Sequence, residues 1–352
     1  NVGTAGQVLT STASGVQWAT DGGGTVTGTG TNLTIPMWNG VSPTSNLADS
    51  TLTLRLVDAG EANPYSLQFG GFSQATGLRN SVALGYNVSA SNQSTLATGF
   101  GTAASGINAA SFNFATIASG NKSAAFGSGS TASGVASFAI GLGNTAATSN
   151  SFAGGLNSTA NPSLNGTSAF AYGNGLNVTG EDAAGFGKNN TVAGRRSFAT
   201  GTNNIITSGA NTFALGVNNN VNGDNSGALG FSNDVLSSTS FAIGSSNTVN
   251  DLQTIALGYN LTTGSKQRQV VVGYQNAINN NANFVVGTGN KNGLEVYGDK
   301  VVLPEYGSGA VTGTAAYNLQ VDATGKIIEG PVGGGSGGGP VDSVNGATGA
   351  VV

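Results

Sequence analysis

The chain contains no cysteine and no histidine, and only 7% of its 352 residues are charged. Without cysteine there is no disulfide framework and no thiolate metal site. Without histidine, the commonest general base, the commonest metal ligand and every Ser-His-Asp triad are excluded. No run approaches the roughly 18 apolar residues that a membrane-spanning helix needs, and no signal peptide is visible at the start. Because the chain begins at Asn1 and stops at Val352 in mid-pattern, we expect a segment of a longer protein or a processed product.

The residue that the chain has in abundance is glycine, with 59 copies, and Asn, Ser and Thr are also common. Such a composition is typical either of a disordered chain or of strands and turns that repeat. Disorder normally accompanies high net charge and few bulky apolar residues. Here the net charge is only −4 and 38% of the residues are hydrophobic. The composition therefore favours a repeating structure.

One short sequence pattern returns along the chain, as in "NSVALG" at 80–85, "SAAFG" at 123–127 and "SFAIG" at 137–141. We call the last residue of each copy the marker. A marker recurs at every fourteenth position, apart from one spacing that is longer by four and two that are longer by one: Gly85, Gly99, Asn113, Gly127, Gly141, Gly155, Gly173, Gly187, Gly201, Gly216, Gly230, Gly244, Gly258, Gly273 and Gly287. A fixed period is the signature of a solenoid. A period of this length fits two short strands and two tight turns, which predicts an all-β rod of roughly 65–70 Å at about 4.8 Å per turn.

The first strand of each predicted turn has two different faces. In "SFAIG" the alternation puts Phe138 and Ile140 on one face and Ser137 and Ala139 on the other. We predict that the bulky face fills the thin interior and that the small, Ala-rich face is approached by a neighbour. An exposed apolar strip along a rod normally marks a partner. We therefore expect self-association about the long axis, most simply as a trimer.

The corners of the predicted turns carry glycine and asparagine. A marker glycine can take the positive φ that turns the corner, and we identify these structural turn glycines: Gly85, Gly127, Gly141, Gly201, Gly216, Gly244 and Gly258. Asparagine recurs three residues after the marker, ahead of a weaker second strand such as "NTVAG" at 190–194: Asn144, Asn190, Asn204, Asn219, Asn233, Asn247, Asn276 and Asn290. Asparagine tolerates the left-handed region, and like amides stack in ladders. We interpret these residues as a ladder, with a binding role as the alternative.

The flanks of the chain suggest a modular array. "GTAGQVLTSTASGVQW" within residues 1–20 aligns without a gap with "GTAAYNLQVDATGKII" within 311–330, so that Leu9 matches Leu319 and Gly15 matches Gly325. Both segments predict a β-hairpin. Residues 21–79 are interpreted as a Gly-rich connector and β transition, and residues 331–352 as a Gly-rich linker and the start of a further module. Residues 291–310 are predicted to be strands that cap the solenoid, which would occupy 80–290.

The repeated hexapeptide Asn80-Ser81-Val82-Ala83-Leu84-Gly85 and its copies resemble the head-domain repeat of YadA-like trimeric autotransporter adhesins. The resemblance covers about residues 80–290 and implies a left-handed parallel β-roll assembled as a homotrimer. The coiled-coil heptads, basic neck and C-terminal membrane barrel of that family are not found in these residues. The flanks, such as "VDSVNGATGAVV" at 341–352, are instead similar to connector modules of bacteriophage tail fibres and appendages, which are also homotrimers.

These resemblances imply a structural role. The expected function is that of a virion fibre or appendage component, an elongated homotrimeric spacer or adhesin that mediates host-surface attachment. The expected partners are further copies of the chain, other virion tail proteins and a bacterial surface glycan or protein receptor. We expect no nucleic-acid partner, no membrane insertion, no metal and no cofactor. The alternative is the head domain of a bacterial trimeric autotransporter adhesin at the cell surface.

The sequence contains only incomplete versions of catalytic and nucleotide-binding motifs. The Gly-Lys pair in "EDAAGFGKNN" at 181–190 has Asp182 where a P-loop requires Gly and Asn189 where it requires Ser or Thr. Paired carboxylates for glycoside hydrolysis would need a trimer interface to bring Glu181, Asp182 or Asp251 together. We predict that the protein is not an enzyme.

Two features are candidates for surface recognition. A four-residue insertion interrupts the period within "LNSTANPSLNGTSAF" at 156–170, and its residues Pro162, Ser163, Leu164 and Asn165 are predicted to bulge from one flank. The rare basic residues fall at predicted corners: Lys122, Lys188, Arg195, Arg196, Lys266 and Arg268. We interpret them as keeping a neutral rod soluble and blocking edge association. The alternative, for Arg195 and Arg196, is contact with an acidic surface glycan or a neighbouring virion protein.

Overall fold

A computed structural model of the 352-residue chain gives the fold. It describes residues 7–12, 15–20, 33–38, 47–56, 65–302 except 78, 163–167, 265–266, 276, 279–281, 290 and 299, and then 317–321, 327–331, 343–344 and 347–348. These residues form strands and turns with no helix. Accordingly, no helix in the described ranges is long and apolar enough to cross a membrane.

The central body is a β-solenoid of about fifteen turns with about fourteen residues per turn, as the period predicts. Each turn gives one strand to a sheet that we call the long sheet, and one two-residue strand to a second, the short sheet. In both sheets each strand pairs in parallel with the equivalent strand of the next turn. The strands of the long sheet are Val82–Tyr86, Leu96–Phe100, Ala110–Phe114, Ala124–Ser128, Phe138–Leu142, Phe152–Leu156, Ala169–Asn174, Ala183–Lys188, Phe198–Thr202, Phe213–Val217, Gly227–Phe231, Phe241–Ser245, Ile255–Tyr259, Val270–Tyr274 and Phe284–Thr288. Those of the short sheet are Gln74–Ala75, Ser89–Ala90, Ala103–Ala104, Ile117–Ala118, Thr131–Ala132, Thr145–Ala146, Thr159–Ala160, Asn177–Val178, Thr191–Val192, Ile205–Ile206, Asn220–Val221, Asp234–Val235, Thr248–Val249, Thr262–Thr263 and Ala277–Ile278.

The markers stay in register through the one strong interruption. Gly141 pairs with Gly155, and Gly155 pairs with Gly173 although the insertion lies between them. On the other sheet, Thr159–Ala160 pairs with Asn177–Val178 in the usual register. The extra residues are therefore taken up between the short strand and the following long strand, at one corner of the solenoid.

Antiparallel strands flank the parallel part of the long sheet. Before it, Tyr65–Phe69 pairs in parallel with the first long strand and antiparallel with Leu47–Leu56, which in turn pairs with Leu33–Trp38. After it, Lys291–Val296 runs antiparallel to the last long strand and pairs with Val301–Val302. An antiparallel partner satisfies the backbone groups of an end strand without offering a further turn of the repeat, and this ends a solenoid.

Three antiparallel hairpins are described in the flanks of the chain. Two of them fall in the flanking segments whose sequences align with each other. The hairpins pair Gln7–Thr12 with Gly15–Thr20, Tyr317–Val321 with Ile327–Pro331, and Ser343–Val344 with Ala347–Thr348.

The interior of the solenoid is filled by small side chains rather than bulky ones. Ser137 and Ala139 are buried, whereas Phe138 is half-buried and Ile140 is exposed. Our prediction of the two faces is therefore wrong. A turn this short holds its two sheets too close together for a column of phenylalanines, and the dense packing of protein interiors leaves no room to compress one. Alanine and serine from the long sheet fit that space, and the bulky residues point outwards.

The short sheet completes this core with residues that change in size along the chain. In the short strands from Gln74–Ala75 to Thr262–Thr263, the second residue points inwards and is fully buried. It is alanine at 90, 104, 118, 132, 146 and 160, and Val or Ile at 178, 192, 206, 221, 235 and 249. The core therefore contains more apolar volume in its second half, which begins after the insertion.

The predicted asparagine ladder is present inside this second half. Asn190, Asn204, Asn219, Asn233 and Asn247 are fully buried. Each Nδ2 donates to Oδ1 of the preceding ladder residue at 3.0–3.2 Å, starting at the second member. Each also donates to the carbonyl oxygen of the next marker at 2.8–3.0 Å. The ladder therefore links the successive turns from Asn190 to Asn247.

At this corner the left-handed conformation is adopted by the residue directly before each ladder residue, not by the ladder residue itself. Asn189, Asn203 and Asn218 have φ of 53°, 54° and 57°. Asparagine therefore occurs at two adjacent positions for different reasons. At the first it tolerates the left-handed backbone conformation, and at the second its side-chain amide forms the ladder. Asn144 is also buried and donates to the Gly155 carbonyl oxygen, whereas Asn276 and Asn290 lie outside the described residues.

Replacing Asn219 by leucine should lower the free energy of unfolding by about 3 kcal/mol, because several buried polar groups lose their partners at once. Asn219 Oδ1 accepts from the backbone N and Nδ2 of Asn233 at 3.1 and 3.0 Å, and its Nδ2 donates to the carbonyl oxygen of Leu215 at 3.1 Å. A leucine side chain fits at this position, since Leu261 is buried at the same position of a later turn. Urea unfolding of the whole chain measures the change. The matched control is Asn174→Leu, at an exposed position, and a similar loss in both variants would contradict the ladder's role.

Candidate functional site

The outward face of the long sheet carries two columns of mostly apolar side chains, which we call together the outer stripe. Position −3, three residues before each marker, holds Val82, Leu96, Ala110, Ala124, Phe138, Phe152, Phe170, Ala184, Phe198, Phe213, Gly227, Phe241, Ile255, Val270 and Phe284. Position −1 holds Leu84, Thr98, Phe112, Phe126, Ile140, Gly154, Tyr172, Phe186, Thr200, Leu215, Leu229, Ile243, Leu257, Val272 and Val286. Apart from the two glycines, all are half-buried or exposed, up to 53% for Tyr172. An apolar strip of this length marks an interaction surface.

Seven aromatic rings follow one another along the outer stripe in seven consecutive turns. Neighbouring ring centroids are 4.6–5.8 Å apart. We call this row the ring ladder: Phe112, Phe126, Phe138, Phe152, Phe170, Phe186 and Phe198. The spacing follows the rise between paired strands, about 4.8 Å, and suits stacked aromatic pairs. The row starts at position −1, moves to position −3 at Phe138, returns to −1 at Phe186, opposite Ala184, and is again at −3 at Phe198.

Two glycines in the outer stripe make room for aromatic rings of their own turn or of a neighbouring turn. A Cβ on Gly154 would lie 2.7 Å from the ring of Tyr172 and 2.9 Å from that of Phe152, and a Cβ on Gly227 would lie 2.2 Å from the ring of Phe213. These rings therefore lie low across the sheet instead of standing up from it. The result is a flat apolar surface, which another protein surface can approach closely.

A further column, one residue after the marker, widens the apolar surface towards both ends of the solenoid. Near the start, Tyr86 stacks on Phe100, which stacks on Phe114, at 5.3 and 5.4 Å between ring centroids. Near the end, Tyr259 stacks on Tyr274 at 5.1 Å. In the middle this column is polar, with Asn174, Lys188 and Thr202. Lys188 was predicted to lie at a corner, but it is the last residue of the strand Ala183–Lys188 and is exposed.

The seven turn glycines have positive φ, between 104° and 144°. A Cβ at any of them would lie only 1.9–2.1 Å from the carbonyl oxygen of the marker in the next turn. The marker position therefore has two constraints, backbone conformation and the closeness of the next turn. Sequence reasoning identified only the first. Asn113, with φ of 85°, shows that asparagine can occupy a marker position.

The candidate recognition residues differ in their exposure to solvent. Pro162 is buried, which leaves little of its ring at the surface, and Ser163, Leu164 and Asn165 lie outside the described residues. Arg195 and Arg196 are exposed. They lie two turns beyond the insertion, at the same corner of the solenoid.

The charged corner residues share one backbone position. Lys122, Asp182, Arg196 and Arg268 each lie five residues before a marker and have φ between 52° and 65°. All four are exposed. Lys266 lies outside the described residues. The corner therefore presents its few charges to solvent, while the apolar columns lie on the adjoining face.

A notch opens at this corner, beside the insertion. Its volume is about 320 Å³, and it is lined by Asn150, Phe152, Ser168, Ala169, Phe170, Asp182, Ala183 and Ala184. Asp182 Oδ1 accepts a hydrogen bond from the backbone N of Ser168 at 3.3 Å. Arg196 follows Asp182 in the next turn, as the pairing of Ala184 with Phe198 requires. The structure thus brings the end of the insertion, Asp182 and Arg196 to one edge of the outer stripe.

The described part of the chain contains no group of three or more Asp or Glu residues placed to hold a metal ion. Its distinctive surfaces are thus the outer stripe and the notch. In comparison with known proteins, no protein-family model matches the chain, and no curated protein sequence matches it at a significant level.

Proposed function

We propose that the chain is a structural segment of a virion fibre or appendage, an elongated homotrimer that spaces the particle from its host and helps to attach it. The observation that carries this proposal is the outer stripe, which runs through every turn of the solenoid. A surface of this length needs a partner of the same length and the same apolar character. A further copy of the chain meets both requirements, and closed symmetric assemblies are the usual form for identical chains.

The apolar face of each copy can be covered if three copies lie around one axis with their outer stripes inwards. The flat regions at Gly154 and Gly227 then allow close approach. The exposed charges at Lys122, Arg196 and Arg268 lie at a corner beside the stripe and can remain in water. This arrangement keeps the expected trimer but uses the bulky face, the opposite of the one predicted from the sequence.

A stiff spacer is the mechanical role that this solenoid suits. Each turn is joined to the next by two parallel sheets, and in the second half also by the asparagine ladder. Bending the rod would separate hydrogen bonds on one side. A homotrimer also presents three copies of any surface contact, so that weak individual contacts give useful avidity.

Within one copy, Asp182 and Asp251 are too far apart to act as the carboxylate pair of a glycosidase. Asp182 and Asp251 belong to turns whose markers are Gly187 and Gly258, five turns apart. At about 4.8 Å per turn this separation is roughly 24 Å, well beyond the roughly 5–9.5 Å that carboxylate pairs of glycosidases require. Asp182 and Asp251 could pair only if they came from different copies, and we propose no catalytic role.

Electron microscopy with gold-labelled antibodies tests the proposed location. Antibodies raised against the 352-residue chain should label a thin projection on phage particles and should slow adsorption of those particles to the host. Label on the surface of uninfected bacteria would instead favour the alternative, the head of a bacterial trimeric adhesin, which the resemblance of the repeat supports. Label on neither, with the chain in the soluble cell fraction, would contradict both proposals.

A further inference from the structure

We propose that the notch beside the insertion is a binding site for a neutral sugar, repeated on each copy of the chain. This inference rests on the proposed role in host attachment, because it names the surface chemistry that the fibre would contact. The notch is the place where the strongest break in the period of the repeat coincides with a break in the column of phenylalanines at position −3.

The shape of the notch follows from two small residues. Ala184 lies between Phe170 and Phe198 in the register of the long sheet, and it leaves the space that a ring would fill at that turn. Ser168, next to the insertion, is likewise small and exposed. Phe186 covers the other side of this gap, because its ring stacks on that of Phe170 at 5.0 Å. The free space therefore opens towards the corner of the solenoid.

The lining of the notch combines an apolar floor with a polar rim. The floor is made by the parallel rings of Phe152 and Phe170, whose centroids are 4.7 Å apart, and by the alanines between the sheets. The rim is made by Asn150, Ser168 and Asp182, all exposed. A pyranose ring has the matching character, with C–H groups on its faces and hydroxyl groups around its edge. A wholly apolar ligand could use the floor but could form no hydrogen bonds with this rim.

The charges of the notch select a neutral sugar over an anion. Asp182 contributes a carboxylate, and none of the described residues that line the notch is basic, since Arg196 of the next turn is not among them. The hydrogen bond from Ser168 N to Oδ1 fixes the position of this carboxylate at the rim. A fixed carboxylate accepts strong hydrogen bonds from hydroxyl groups. The volume of about 320 Å³ is at the lower end for small-molecule sites, which gives room for one or two sugar rings.

The position of the notch at the edge of the outer stripe makes a second copy of the chain the competing occupant. Asp182, on its rim, lies at the corner position, five residues before the marker, and the rings of its floor lie at position −3. An assembly through the outer stripe would therefore leave the notch at the seam between two copies. The experiment separates these occupants by measuring sugar binding and oligomeric mass on the same samples.

Saturation-transfer NMR of the 352-residue chain with millimolar methyl glycosides of glucose, galactose, N-acetylglucosamine and N-acetylgalactosamine tests the site. We expect transfer to at least one of them. Ala184→Phe should abolish it by filling the notch, and Asp182→Asn should weaken binding about tenfold, since asparagine keeps the left-handed backbone but loses the charge. The matched control is Ala124→Phe, at the same position of a turn remote from the notch, which should bind as the unchanged chain does.

Each outcome decides the inference. Transfer to none of the glycosides, in a sample with the mass of a trimer, would overturn the sugar site and leave the fibre proposal intact. Equal binding by Ala184→Phe and Ala124→Phe would also overturn it. If Ala184→Phe alone dissociates the assembly, the notch is filled by a second copy and the inference is wrong. If the expected pattern of binding is found in a monomer, the sugar site stands and the homotrimer fails.

Discussion

Replacing Phe126 and Phe138 by aspartate should convert the assembled chain into monomers while its β structure is retained. The two rings are adjacent members of the ring ladder, 5.4 Å apart, and both face outwards. In a monomer the two carboxylates would stay in water and disturb little. In an assembly that covers the outer stripe they would be buried without partners, at a cost of several kcal/mol each. Sedimentation equilibrium should show a threefold fall in mass, with an unchanged circular dichroism spectrum.

The matched control places the same two charges on the opposite face. Ile117 and Thr131 belong to adjacent strands of the short sheet and point outwards. Ile117→Asp combined with Thr131→Asp should leave the mass of the assembly unchanged. If this pair dissociates the assembly and the ring-ladder pair does not, the copies meet through the short sheet and the outer stripe is not the interface.

Replacing Gly201 by alanine should lower the free energy of unfolding by at least about 4 kcal/mol, which would be exceptional for a single substitution. Gly201 has φ of 113°, which strains any residue with a Cβ. Its added Cβ would also lie 1.9 Å from the carbonyl oxygen of Gly216. Neither turn can move away easily, because Gly201 is paired in register with both Gly187 and Gly216. Urea unfolding of the whole chain measures the loss.

Gly264→Ala is the matched control for this effect. Gly264 has no left-handed φ, and a Cβ there would have no neighbour within 4 Å. Surface substitutions of this kind usually change stability by less than about 0.5 kcal/mol. Comparable losses in the two variants would mean that the marker glycines are not held by the close approach of the next turn.

The repeat architecture could be predicted from the sequence because the solenoid makes the same demand in every turn. The spacing of markers such as Gly127, Gly141 and Gly155 gave the register, and the pairs formed by these residues in the structure reproduce it. The asparagine ladder was predictable for the same reason. A buried asparagine that hydrogen-bonds to the asparagine of the neighbouring turn must recur at the same position of the repeat, and Asn204 and Asn219 do so.

The choice of the inner face could not be made by alternation alone. Alternation separates Phe138 from Ala139, but the thickness of the interior decides which of them is inside. One signal in the sequence did point to the answer. Position −2 holds alanine in most turns, whereas position −3 ranges from Gly227 to several phenylalanines. A confined interior restricts side-chain size, and an outward face does not, so the uniform column is the inner one.

The notch marks a second limit of sequence reasoning. The break in the period pointed to the corner where the notch lies, but Ser163, Leu164 and Asn165 lie outside the described residues, and Pro162 is buried. The lining comes from Asn150, Phe152 and Asp182, which lie one turn before and one turn after the insertion. Their proximity follows from the stacking of turns, whereas the open space depends on the absence of a ring at Ala184. The missing ring at Ala184 indicates an open space only once it is known that position −3 faces outwards.

The mass of the unmodified chain in solution tests the central claim most directly. One copy has a mass of 34.4 kDa. If the outer stripe is covered by further copies of the chain, sedimentation equilibrium should give three times this mass, constant over a wide range of concentrations. A stable species with the mass of one copy over the same range would show that the stripe tolerates water, and the homotrimeric fibre would be wrong.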